Sequence, residues 1–304
     1  MLSVNFWGVR GSIPCPGRST VEYGGNTSCL EIRAGEKLVI VDMGTGIKPL
    51  SDWLVKHESF KNGMDIDIFI SHTHWDHIMG FPMFAPIFFP GVKVMIRGPV
   101  SYNDDTLASI IGTQLSYRYW PVRQDELAAT IEFQELKESV MDMGGGLKVT
   151  TKYLNHPILC LGYRFEYQGK SIVTAFDHEP FRNIFSTDPD DPSYDEMAAQ
   201  EGGAAAIEEN EKILRFISGA DILIHDAQYT EGELDKHLGW GHSSYEYAIE
   251  AACQAGVKKL VFYHHDPIRT DEQLKALEEK YKNETVGKRN IEISMAREGQ
   301  TIEA

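Results

Sequence analysis

Ile68-Phe69-Ile70-Ser71-His72-Thr73-His74-Trp75-Asp76-His77 decides how the rest of the chain is read. An apolar run that fits a buried strand stops, and three imidazoles and a carboxylate follow within six positions. A strand that ends and turns there delivers His72 and His74 to one metal ion. Asp76 and His77, one step round the turn, face a second. Neutral imidazole nitrogen and carboxylate oxygen are the donors that zinc and its borderline neighbours accept. The bland alternative is a surface loop that happens to be rich in histidine, and the remaining segments argue against it.

Those segments share a format. Apolar, strand-like runs end in a titratable residue at Asp42, at His156, at Asp177, at His225-Asp226 and at His264. Buried strands with functional groups at their tips are how a layered fold assembles one site from distant stretches of chain.

Taken together, these segments resemble the metallo-β-lactamase superfamily, whose signature is His-x-His-x-Asp-His. Within it they are similar to the branch containing ribonuclease Z and related phosphodiesterases. The likeness runs from Asp42-Met43-Gly44-Thr45-Gly46 through the 72–77 cluster, His156 to Arg164 and Asp177. It continues at His225-Asp226-Ala227, Gly241-His242-Ser243-Ser244 and Tyr263-His264. The resemblance implies an α/β fold, the four-layer αβ/βα sandwich, with 1–304 as a single domain. It also implies two divalent metal ions, zinc first, with manganese or iron as alternatives. His72, His74 and His156 would hold one ion, and Asp76, His77 and His264 the other. Asp177 would bridge them, with a water or hydroxide between. His264 is preferred to His265 because the similar strand places its ligand directly after Tyr263. Asp42 resembles the carboxylate that orients a ligand histidine through its free ring nitrogen.

Two ions about 3.5–4 Å apart can share a nucleophile and clamp an in-line displacement at phosphorus. Asp76 is expected to orient that nucleophile as well as to bind metal. His242 is the candidate proton donor for the leaving alkoxide, with Asp226 holding its tautomer. The branch has a glutamate where this chain has the shorter Asp226. His242 also fits an ordinary helix-start histidine, with Ser243 or Ser244 as the cap. His178 and Glu179 are evenly balanced between touching substrate and supporting the site. His225 reads as a packed core residue, and His57 and His237 as solvated or locally bonded. The aromatic stretch 81–90 fits a pocket lining and core packing equally. Arg10, Arg18, Arg118, Arg123, Arg164 and Arg182 could meet a phosphate, and Tyr117-Arg118-Tyr119-Trp120 could stack on a base. Ordinary pairing and packing explain these residues as well, and none is assigned to the site.

The 304 residues contain no low-complexity stretch or long linker. Residues 179–210, rich in Asp, Pro and Ser and then in Ala and Glu, read as an insertion, and a helix ending near Ser218 is expected after them. A lid, a dimer contact and a mobile loop all fit that insertion. Cys15, Cys29, Cys160 and Cys253 show no paired spacing, which suits a reducing cytoplasm. No signal peptide is read at the start, and no apolar run approaches the roughly 20 residues of a membrane span. The formal charge of −16 comes with only short basic pairs such as Lys258-Lys259 and Lys288-Arg289. That argues against long nucleic acid and for a small nucleotide-like phosphodiester as substrate. A homodimer is compatible with the resemblance. Three alternatives stand beside the phosphodiesterase. One is a thioester or lactone hydrolase, whose glycine-rich histidine loop is not matched after His156. Another is an RNA 3′-processing endonuclease, whose basic glycine-rich arm has no evident counterpart. The third is a non-catalytic metal- or nucleotide-binding sensor.

Overall fold

The computed structural model describes residues 1–60, 63–100, 105–285 and 291–304, so the pair Lys288-Arg289 lies outside the described residues. Strands β1 (Leu2–Gly8), β2 (Cys29–Ala34), β3 (Lys37–Val41), β4 (Met64–Phe69), β5 (Val92–Pro99) and β6 (Thr130–Leu136) form most of one sheet. A second sheet holds β7 (Val140–Asp142), β8 (Lys148–Leu154), β9 (Cys160–Tyr167), β10 (Lys170–Ala175), β11 (Ile222–Asp226), β12 (Lys259–Tyr263) and β13 (Glu292–Met295). The last strand, β14 (Thr301–Glu303), returns to the edge of the first sheet beside β1. The orders are β14-β1-β2-β3-β4-β5-β6 and β13-β12-β11-β10-β9-β8-β7. In each sheet one half is antiparallel and the other parallel: β3 to β6 in the first, β10 to β13 in the second.

Alternation explains the inner core. Leu2, Val4 and Phe6 point the same way from β1 and meet Phe165, Ile172 and Val261 from the opposite sheet in one buried cluster. Strands β3, β10, β11 and β12 read as continuous apolar runs because both of their faces are covered, whereas β4, β5 and β6 alternate. Ile66 and Ile68 of β4 face outward, onto Ile47, Leu50 and Leu54 of α1 (Ile47–His57), while Phe69 turns into the inner cluster. On the far side, α4 (Glu196–Ile217), α6 (Tyr245–Gln254) and α7 (Asp271–Thr285) cover the second sheet with Ile213, Ala248 and Leu274. Helix, sheet, sheet and helix therefore stack as the four-layer αβ/βα sandwich. Each fully buried Phe or Ile contributes roughly 1.5–3 kcal/mol. The stretch 81–90 belongs to this packing: Phe81, Phe84 and Ile87 are buried against α1, and only Met83 and Phe88 of its large side chains are markedly exposed.

The insertion differs from the expectation. Its Ala- and Glu-rich half is itself the start of α4, which begins at Glu196 with the Asp195 side chain accepting from the Ala198 amide. Gly202 does not break the helix, although glycine costs about 1 kcal/mol relative to alanine in such a position. A Cβ there would come within 2.4 Å of Asn183 Oδ1 and 2.5 Å of the Phe185 ring, so glycine is what lets segment 183–185 lie on the helix. Among the described residues, no helix is long and apolar enough to cross a membrane.

Candidate metal centre

The site gathers where the strands β3, β4, β8, β10, β11 and β12 end. Asp42, Asp177 and His264 follow β3, β10 and β12 in the left-handed region, with φ of 64°, 46° and 58°. Such backbone costs on the order of 1–3 kcal/mol for a non-glycine residue, so the surrounding packing must hold it. After β4 the chain makes a single helical turn, α2 (Trp75–Ile78), which buries Asp76 and His77 while Trp75 stays exposed.

Among the described residues three donor groups result; one is Asp226, His242 and His264, and the other two share Asp177. His72, His74, His156 and Asp177 form one, and Asp76, His77, Asp177 and His264 the other. Within each group, one ligand atom per residue lies within 4.8 Å of all the others. His156 Nε2 is 3.0 Å from His74 Nδ1, and His72 Nε2 is 3.5 Å from Asp177 Oδ2. His77 Nε2 stands 3.2 Å from Asp76 Oδ2 and 3.3 Å from Asp177 Oδ2. His264 Nε2 stands 3.1 Å from Asp76 Oδ2 and 3.3 Å from Asp177 Oδ1. His77 Nε2 and His264 Nε2 approach to 3.2 Å, and His72 Nε2 and Asp177 Oδ1 are buried without a hydrogen-bond partner. Nitrogens and carboxylate oxygens crowded this closely, two of them without a hydrogen-bond partner, fit divalent cations. His265 lies apart, its Nε2–H donating to the Ala296 carbonyl at 2.9 Å.

The electrostatics agree. Burial opposes a charge on His77, but the Asp76, Asp177 and Asp42 carboxylates outweigh it and hold its pKa well above the usual value. Burial and the positive charge of His77 keep His72 well below its ordinary pKa. Burial works against ionised Asp177, and the charges of His264, His77 and His72 prevail and hold it well below the carboxylate range.

The donor rings are also oriented. Buried Asp42 accepts from His77 Nδ1–H at 2.7 Å, from the Ser71 amide at 2.7 Å and from the Ser71 and Ser28 hydroxyls at 2.9 and 2.8 Å. His156 Nδ1–H donates to the Gly241 carbonyl at 3.0 Å, and Asp76 Oδ2 accepts from the Ser12 amide at 2.7 Å. The sequence reading missed Ser12, Ser28 and Ser71 as supports. Glu179, which the sequence left balanced with His178 between substrate contact and support, is a buried carboxylate whose Oε2 accepts from the Gly239 and Gly241 amides at 2.8 and 3.1 Å.

His242 is placed beside this cluster, its ring stacked on His264 at a centroid distance of 5.1 Å. Its Nδ1–H donates to Asp226 Oδ2 at 3.0 Å, so the shorter aspartate arm does reach. Burial alone would lower its pKa, but the Asp226 carboxylate wins and lifts it to about 9. The capping reading of the same segment holds too: Ser244 Oγ accepts from the Tyr247 amide at the start of α6.

The remaining candidates separate cleanly. His178 is fully buried, its Nδ1 accepting from the Asn155 amide, and serves as support. His225 is buried and bonds the Asp226 carbonyl. His57 and His237 bond the carbonyls of Trp53 and Glu233 one helical turn back. Buried Arg10 bonds the carbonyls of Gly24, Asp266 and Arg269, and Arg164 those of Phe216 and Ser218. Arg18, Arg118 and Arg123 are exposed, the last stacked on Tyr117. Arg182 alone of the six lines a cleft that His156 also lines.

A sandwich of this kind, with histidines and aspartates at its strand tips, defines a class of metallohydrolases. The family model of the metallo-beta-lactamase superfamily matches residues 23–200, and the chain belongs to that superfamily. Ribonuclease Z of Lactococcus lactis subsp. lactis (strain IL1403) is 28% identical over 226 residues, covering 65% of this chain and 69% of that protein. Human tRNase Z, short form, superposes with a TM-score of 0.61 at 20% identity, covering 99% of this chain and 98% of that one. A diphosphatase from the PhnP family gives a TM-score of 0.63 at 18% identity, covering 100% and 98%. These two structures establish the shared fold.

Proposed function

We propose that this hydrolase is a metal-dependent phosphodiesterase acting on a small, nucleotide-like phosphodiester. The observation that carries the reading is Asp177 standing between two donor groups with the His242–Asp226 pair alongside. Divalent ions, zinc first with manganese or iron also suited, would be held by His72, His74, His156 and Asp177 and by Asp76, His77, Asp177 and His264. Such ions supply an activated water and stabilise charge on the phosphoryl oxygens. The protein's own groups do the rest. Asp76, fixed by the Ser12 amide, orients the attacking water. Protonated His242 gives its Nε2 proton to the leaving alkoxide as the phosphorus–oxygen bond to it breaks. Asp226 keeps Nδ1–H turned away, so Nε2 is the nitrogen that faces the site.

The net charge of −16 supports a small substrate, since the metal ions alone can neutralise one phosphodiester but not a long backbone. A second reading, RNA 3′ processing, is favoured by the ribonuclease Z name of the curated relatives. A single chain-wide domain over 1–304, a cytoplasmic setting and homodimerisation complete the proposal. The first two draw on an inner core shared by both sheets and on four free cysteines.

The test is hydrolysis of bis(p-nitrophenyl) phosphate by zinc- or manganese-loaded protein beside Asp76→Ala, followed by cyclic nucleotides and a tRNA precursor. Turnover that disappears in the variant supports the reading. Silence from a fully metallated wild type moves the weight to thioester, lactone or non-catalytic roles. Preferred cleavage of the precursor moves it to RNA.

A further inference from the structure

The chain leaving Asp177 is clamped onto α4. The Phe181 amide donates to Asn210 Oδ1 at 3.0 Å, and Asn210 Nδ2 donates back to the Phe181 carbonyl at 2.8 Å. Asn183 Nδ2 donates to the Ala199 carbonyl at 2.8 Å. Segment 181–184 is thus a braced wall rather than a loose loop. Facing it is the 238–241 turn, whose amides at Gly239 and Gly241 are held by Glu179. Between the two lies a cleft of about 450 Å³ that His156 also lines. Its sides are Pro157, Phe181, Ile184 and Leu238, and Arg182 is its one cationic lining residue.

Ile184 is 87% exposed and Leu238 46%, an unusual amount of uncovered aliphatic surface beside a metal centre. The neighbouring polar groups are mostly engaged already. Both Asn183 side-chain atoms, the Gly239 and Gly241 amides, the Gly241 carbonyl and the Asn155 amide and carbonyl all have partners. A polyol entering here would lose hydrogen bonds to water without replacement. A flat apolar ring loses none. Arg182 approaches Glu179 only at 3.9 Å, so its guanidinium keeps donors for a ring acceptor or its plane for stacking. The volume falls within the range of small-molecule sites.

We propose that this cleft is a substrate subsite that takes an aromatic substituent, a nucleobase or aryl group, of the ester whose phosphoryl group meets the metal centre. On this view the 179–210 insertion is the selecting wall. The chemistry at phosphorus rests on the phosphodiesterase reading, but occupancy of the cleft can be measured without turnover.

The experiment is calorimetric titration of zinc-loaded protein with phenylphosphonate and with methylphosphonate. The phenyl compound should bind about tenfold more tightly, about 1.4 kcal/mol. In Ile184→Ser/Leu238→Ser that ratio should collapse to under about threefold, and likewise in Phe181→Ala. Phe181 is partly packed on the core, so the double variant at exposed positions carries the test if Phe181→Ala does not fold. Equal binding of the two phosphonates by wild type, an unchanged ratio in the double variant, or no binding of either compound would overturn the subsite. A phenyl preference in a protein that hydrolyses no phosphodiester would keep the subsite and sink the phosphodiesterase reading instead.

Discussion

His156 and Gly241 fit together without room for a side chain: a Cβ on Gly241 would lie 2.1 Å from His156 Nδ1, the atom that donates to the Gly241 carbonyl. Gly241 also has a φ of +84°. Gly241→Ala therefore pushes the His156 ring out of line as well as straining the backbone by roughly 1 kcal/mol. Metal analysis of the purified variant should show about one equivalent lost relative to wild type. Full occupancy would mean that His156 tolerates a shift.

Asp42 carries four donors on two oxygens inside the protein. Asp42→Ala leaves them unpaired and should cost about 3–5 kcal/mol in urea unfolding. Asp42→Asn preserves volume but turns an N–H toward donors, and should weaken metal affinity about 10–100-fold by releasing the His77 ring.

The proton donor gives a signed pH profile. As the proposed proton donor His242 acts in its protonated form, so turnover of substrates with poor leaving groups should fall as pH rises through its pKa, lifted to about 9 by Asp226. Bound cations push that limb downward. Asp226→Asn removes the carboxylate and should move it further toward acid. His242→Ala should slow nucleoside leaving groups by about 10²–10⁴-fold while barely affecting p-nitrophenyl esters. Equal losses on both would refute the acid role.

Acid should unfold the chain early. His178, His225 and His265 are buried, and burial lowers the pKa of each, that of His265 to about 3. The unfolded chain takes up protons at these positions near pH 6.5 and the folded one does not. Stability is thus fully present above about 6.5 and drains away as pH falls toward 3. Urea midpoints at pH 7, 5.5 and 4.5 should decline in that order, and a flat series would show the histidines to be solvated.

Most of the candidate site could be read from the chain because its donor residues sit at the ends of apolar runs, where period and polarity change together. Asp42, the 72–77 cluster, His156, Asp177 and His264 all have that signature, and the structure brings them together. The supports do not. Ser12 acts through a backbone amide, and Gly241 through a carbonyl and an absent side chain, neither of which leaves a mark in residue type. Glu179 looked like part of an insertion because its two partners are amides some sixty residues away. The start of α4 was not legible either: the Ala- and Glu-rich stretch belongs to the helix, and the approach of Asn183 and Phe185 explains why that helix keeps Gly202.

Asp42, Asp177 and His264 occupy a backbone conformation that glycine and asparagine adopt more readily. Relieving it at 177 or 264 would ease the turn by about 1 kcal/mol and, in the same stroke, delete a donor of the candidate metal site. Heat resistance and turnover therefore pull against each other at the tips of these strands. A screen that rewards survival at high temperature, with no assay for activity, would gather its winners there and find them catalytically dead.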